Sequence, residues 1–110
     1  MRTFAEICSK LRETLGAQLV AYIAGVGSTS TVRAWIDGTS VPSIIQAQRI
    51  ETAQKVASGV HRSHGSKLTQ LWFQGTEELL GDRAPARFIL ETNGADQRVF
   101  AVAQDFSLNH

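Results

Sequence analysis

The sequence predicts an all-α chain: a helix-turn-helix half at the N-terminus and a second helical half at the C-terminus, joined by one long helix. Three observations predict it. Apolar residues recur at i, i+3, i+4 and i+7 in segment after segment, and nowhere does period-two alternation last long enough for a strand. Gly16, Gly25, Gly38, Gly65 and Gly81 fall where those periodic runs stop. The stretch from Ser28 to Ser43, STSTVRAWIDGTSVPS, is punctuated as one short helix, with hydroxyl residues first, then Val32, Trp35 and Ile36, then Gly38, then Pro42 and Ser43. A helix this short is not stable alone, so its neighbours must hold it.

Thr3 to Glu6 has the spacing of a capping box, and Phe4, Ile7, Cys8, Leu11 and Leu15 then follow one helical stripe to Gly16. Ala17 to Ala24 is a shorter helix with Leu19, Val20 and Ile23 inward, broken by Gly25-Val26-Gly27. Ala21 and Gly25, four apart, allow the next helix to cross closely. That helix has Ser28 or Thr29 as its N-cap and Gly38 as its stop.

Ser43 to Gln46 is a second capping box and opens the longest element, whose stripe is Ile44, Ala47, Ile50, Ala53, Val56, Ala57 and Val60. From Ser43 to His64 it would reach about 33 Å. Past Gly65 the elements shorten. Ser66 is expected to cap a helix holding Leu68, Leu71 and Trp72. Thr76 is expected to cap a turn with Leu79 and Leu80 inward, Gly81 ending it. Pro85 opens a helix with Phe88, Ile89 and Leu90 that Asn93-Gly94 closes. Asp96 caps the last helix, bearing Val99, Val102, Ala103 and Phe106, and Ser107 to His110 reads as a free tail.

At 110 residues the chain is one compact domain, or two small halves sharing a core, long enough to bury an apolar interior without staples. We place the halves at residues 1–65 and 66–110. The net charge is only +1, but the first half carries seven Lys and Arg against four Asp and Glu, and the second four against six. That asymmetry suits a polyanion at one end and a different partner at the other. Cys8 is the single cysteine, which excludes an intramolecular disulfide and a cysteine metal cage. Its place on an apolar stripe reads as a small buried hydrophobe rather than a nucleophile. No run has membrane-spanning length and the N-terminus lacks a signal-peptide core, so the expectation is a cytoplasmic protein with no membrane partner.

Val20, Ile23, Val32, Trp35 and Ile36 around a glycine turn would pack two helices at a steep angle and leave Ser30, Thr31, Arg33, Ala34 and Asp37 outside. In a helix-turn-helix protein that free face enters the DNA major groove, where Arg33 reads guanine bidentately. Ser28, Thr29, Ser30 and Thr31, with the free N–H groups at the helix start, hold phosphate. The competing reading is a plain helical hairpin. Gln18, Thr39, Ser40 and Arg49 are supplementary phosphate contacts or simply solvated polar residues.

His61 and His64, at i and i+3, have the spacing of two metal ligands on one helix, but the sequence offers no third; cations also suit a helix C-terminus, and we expect no metal. No nucleophile elbow, no Gly-rich phosphate loop and no carboxylate pair in a recognisable catalytic setting is present, so neither an enzyme nor a cofactor is expected. Trp72-Phe73, Leu79-Leu80-Gly81 and Pro85 crowd large apolar groups and backbone punctuation into fourteen residues. That is a tightly packed helical corner, with apolar surface left over for a partner or a second copy of the chain.

Together the halves resemble the Xre/MbcA/ParS antitoxin family, which joins a helix-turn-helix to a C-terminal toxin-binding domain. The resemblance rests on Val32, Arg33, Ala34, Trp35, Gly38, Val41 and Pro42 leading into Gln48, Arg49 and Ile50. In the second half it rests on Trp72, Phe73, Leu79, Leu80, Gly81, Arg83, Pro85 and Ala86. It covers Ala17 to Phe106. The family's common Pro-Asn after the aromatic pair is Thr76-Glu77 here, so that turn is capped differently. The resemblance implies an antitoxin that occludes the active site of a RES-domain, NAD-consuming toxin, and a repressor that binds operator DNA as a homodimer or higher oligomer. The toxin contacts expected are Phe100, Phe106, Ser107, Leu108, Asn109 and His110. Phe100 lies off the stripe of its helix, which leaves two placements open, outward or against the preceding helix. The rival readings are a stand-alone helix-turn-helix repressor, such as a phage carries, whose C-terminal half only dimerises, and an adaptor without a DNA role.

Overall fold

A computed structural model describes residues 3–93 and 97–109. The elements are α1 (Phe4–Leu15), α2 (Ala17–Ala24), α3 (Thr29–Asp37), α4 (Ile44–Gln74), a single 3-10 turn (Glu78–Leu80), α5 (Pro85–Thr92) and α6 (Arg98–Asn109). The described residues contain no strand, and the single antiparallel bridge joins Glu77 to Arg83. None of these helices is long and apolar enough to cross a membrane.

The local signals act where they stand in the sequence. Thr3 Oγ1 accepts from the Glu6 N–H at 3.2 Å and starts α1. Gly25 takes the left-handed conformation, φ 82°, and its N–H and that of Val26 both return to the Ala21 carbonyl, which ends α2 sharply. Ser28, not Thr29, is the N-cap of α3, its hydroxyl accepting from the Ser30 N–H at 3.1 Å. The box at the start of α4 closes in both directions: Gln46 N–H to Ser43 Oγ at 3.1 Å and Ser43 N–H to Gln46 Oε1 at 2.8 Å. Gly65, at φ 82° and ψ 174°, breaks the backbone of α4 between two helical lengths. Thr69 Oγ1 donates to the Gly65 carbonyl at 2.7 Å and steadies the second length.

α4 is the spine, packed by α1, α2, α5 and α6. A single buried cluster runs along it from Cys8, Leu11, Val20 and Trp35 through Ile50, Val56 and Val60 to Phe73, Leu80, Phe88 and Val99. Each large side chain in it contributes about 1.5–3 kcal/mol by leaving water. Phe4 meets Trp35 edge-on at 5.9 Å and fixes α1 against α3.

Five expectations need correction. Ile44, placed on the inward stripe, is 79% exposed, and the buried stripe begins at Ile50, because the helices that cover α4 leave its first turn outside. Leu68 and Leu71 are exposed; the buried side of that length is Thr69, Trp72 and Phe73. Glu77, not Thr76, caps the 3-10 turn, its carboxylate accepting from the Leu79 N–H at 3.2 Å. Leu79 is turned outward at 65% exposure while Leu80 is fully buried, since successive residues of a 3-10 turn point about 120° apart. Ser107 and Leu108 are not a free tail but part of α6. That helix is held by Phe106, whose ring lies 4.9 Å from His64 and 5.9 Å from Trp72. Asp96, expected as a cap, and His110, expected at the toxin contact, lie outside the described residues.

Candidate nucleic-acid interface

In α3 the inward positions are taken by Val32 and Trp35, both buried, with Ile36 partly covered. The helical period then turns Ser30, Arg33 and Asp37 to solvent, with Thr31 and Ala34 half-buried beside them. Ser28, Thr29 and Ser30 crowd the amino end of α3, where the Ser28 and Ser30 hydroxyls share a 2.7 Å hydrogen bond. This is the positive end of the helix dipole, and it favours an anion.

α1 and α2 complete the face. A cleft of about 330 Å³ lies between Arg12 on α1, Ala17 at the start of α2, and Thr29, Ser30 and Arg33 on α3. A second, of about 460 Å³, is lined by Gln18, Tyr22, Gly27 and Ser28 and meets the first at Thr29. Among the described residues neither Arg12 nor Arg33 has an ion-pair partner. Two unpaired guanidiniums, a row of hydroxyls and a helix amino end on one face suit a phosphate backbone.

The fold thus gathers Gln18, Ser28, Thr29, Ser30 and Arg33. It adds Arg12 and Tyr22, which sequence reasoning did not select. The signal for Arg12 was its place in the last turn of α1, just ahead of Gly16, where α2 turns back. Thr39 and Ser40 stand past the carboxyl end of α3, whose nine residues span about 13 Å, and Thr39 Oγ1 donates to the Ala34 carbonyl at 3.3 Å. Arg49 is the correction here. It is half-buried: Nη1 donates to the Ala24 carbonyl at 2.8 Å and Nη2 to Asn93 Oδ1 at 2.7 Å, so its charge is engaged inside the fold and not offered to phosphate.

The residues expected at the toxin contact divide. Phe100, Ser107 and Leu108 line a groove of about 410 Å³ between α6 and the Lys55, Gly59 and Arg62 face of α4. Phe100 takes an intermediate place, at the groove and against the core. Phe106 sits apart from them, on Trp72 and His64. Asn109 belongs to α6. The motif residues form the packed corner: Trp72 meets Phe73 edge-on at 5.1 Å, Leu80 and Pro85 are buried, and Gly81 ends the turn. Arg83 stacks 4.7 Å over the Phe88 ring while its Nε donates to the Leu80 carbonyl at 2.9 Å. Its Nη1 reaches Glu91 at 3.0 Å and Arg87 reaches the same carboxylate at 2.9 Å; the two hold the Glu91 carboxyl below the usual carboxylate range.

His61 is exposed and His64 faces Phe106; no cluster of three His, Cys, Asp or Glu able to hold a metal occurs among the described residues. The chain matches no protein-family model, no curated protein and no solved structure.

Proposed function

We propose that the chain is the antitoxin of a RES-type toxin–antitoxin pair. It binds operator DNA with the amino end and free face of α3, and its C-terminal half covers the active site of an NAD-consuming toxin. The observation that carries this reading is a pairing within one chain. A face bearing unpaired Arg12 and Arg33 at the start of α3 stands in the first half. A corner built on Trp72, Phe73, Leu80, Arg83 and Pro85, the residues that carry the family resemblance, stands in the second. In this reading the NAD chemistry belongs to the partner and the chain needs no cofactor.

Co-expression with the adjacent open reading frame tests it. The expected result is a RES-like product that co-purifies and whose NAD consumption is suppressed in the complex. A neighbouring frame unrelated to RES, with nothing co-purifying, would remove the toxin half of the proposal. The DNA half would then stand as a stand-alone repressor, a reading that the Arg12–Arg33 face supports by itself. Its mark is binding to the chain's own promoter that weakens steeply as salt rises.

A further inference from the structure

We infer that two copies of this chain associate by exchanging Leu79, the leucine of each copy entering the groove between α4 and α6 of the other. The inference stands apart from the identity of any toxin and assigns a surface to the self-association.

Leu79 is a presented knob. Its neighbour Leu80 is fully buried, and the turn that carries both is tied at each side: Glu77 caps the Leu79 N–H, and the N–H groups of Gly81 and Asp82 return to the Glu78 and Glu77 carbonyls at 3.0 and 3.1 Å. A leucine held out by so fixed a turn loses little conformational freedom on docking. The groove is its counterpart. Val56 and Ala103 form the floor, Phe100 and Leu108 a wall, and at Gly59 a Cβ would meet nothing within 4 Å, so the space there is open.

Charge decides the occupant. Lys55 and Arg62 stand on the rim, and Glu78 and Asp82 belong to the same tied turn as Leu79; all four are exposed, and none has an ion-pair partner among the described residues. The knob therefore brings two carboxylates to two cations around an apolar centre, the arrangement that steers and fixes register at an interface. The 3-10 turn packs on α6, which is also a wall of the groove. Knob and groove thus sit on adjoining elements, and one twofold axis beside α6 would make both exchanges at once and close the assembly as a dimer.

Sedimentation velocity on the full chain tests it, with helicity by circular dichroism confirming each variant folded. The wild type is expected to be dimeric at about 100 µM, and Leu79→Ser to weaken the dimer by roughly tenfold or more. Reversing the rim (Lys55→Glu with Arg62→Glu) or the knob (Glu78→Lys with Asp82→Lys) sets like charges together and should leave each variant monomeric. Mixing the two reversed variants makes both exchanges attractive again and should restore a dimer. A wild type that stays monomeric, a dimer that ignores these substitutions, or a mixture that fails to pair overturns the inference.

Discussion

Arg49 and Asn93 are 44 positions apart in the sequence, and a 2.7 Å hydrogen bond from Nη2 to Oδ1 ties them together. Asn93 is the left-handed C-cap of α5, and the other arm of the same guanidinium holds the Ala24 carbonyl at the end of α2. One side chain on the spine thus pins the ends of two helices. Arg49→Ala should lower stability by about 1.5–3 kcal/mol, the range for half-buried hydrogen bonds made by a charged group. Arg49→Lys should recover little, because one ammonium cannot reproduce the planar fork. Urea unfolding checks both, read as a lower midpoint with an unchanged slope. DNA retention by the folded fraction should not change, whereas a phosphate contact would lose affinity at full stability.

The same brace makes Gly25 irreplaceable. A Cβ there would lie 2.8 Å from Arg49 Nη1 and 3.1 Å from Leu90 Cδ1, at a φ of 82°. Gly25→Ala should cost about 2–4 kcal/mol, backbone strain and displaced packing together. Gly65 has open space around it but stands at φ 82° and ψ 174°, a backbone region held almost only by glycine, so Gly65→Ala should cost strain alone, about 2–3 kcal/mol. Thermal unfolding of each variant, read as the fall in Tm, checks both values.

Arg12 and Arg33 face one cleft but have different roles in the proposed complex. Arg12→Ala should weaken binding about equally to all sequences and reduce the salt slope by about one. Arg33→Ala should relax the preference for one base by about 1–3 kcal/mol. Fluorescence anisotropy across a salt series, with operator and scrambled duplexes, measures both. An unchanged profile for either variant takes that residue out of the interface.

What the sequence made legible was local. Gly25, Gly38 and Ser43 control hydrogen bonds within a few positions of themselves, so their types and spacing sufficed to read the ends of α2, α3 and the start of α4. Arg49 was not legible, because its partners at Ala24 and Asn93 meet only after folding, and an arginine in a polar stretch looks like any solvated cation. Ile44 misled for a related reason: periodicity tells which side of a helix is apolar, not whether a neighbour covers that turn, while Leu79 misled because successive residues of a 3-10 turn point apart and only Leu80 meets the core. Ser107 and Leu108 looked like a tail by composition, yet Phe106 anchors their turn to Trp72 and His64, contacts reaching back across two further elements. At the candidate site the hydroxyls of α3 were visible in sequence, while Arg12 joined them only through the way α1 lies beside α3.

Cys8 offers a prediction with a defined sign. Burial against the apolar stripe of α1 pushes its thiol up to about 11, with the Arg12 charge pulling modestly the other way. A thiol ordinarily ionises near 8.5, so below that pH both folded and unfolded chains carry it protonated and its full contribution to stability is present. Between about 8.5 and about 11 the unfolded chain releases the proton and the folded chain does not, so stability should fall with rising pH, and above about 11 that contribution is gone. Cys8→Ala should unfold at a lower denaturant concentration throughout, since it leaves a small cavity, but with a flatter pH dependence over that interval. At pH 8 iodoacetamide should label Cys8 only as fast as the chain opens, because the thiolate is the nucleophile and burial suppresses it. Labelling as rapid as that of a free thiol would place Cys8 at the surface and break the link between its burial and the packing of α1 on α4.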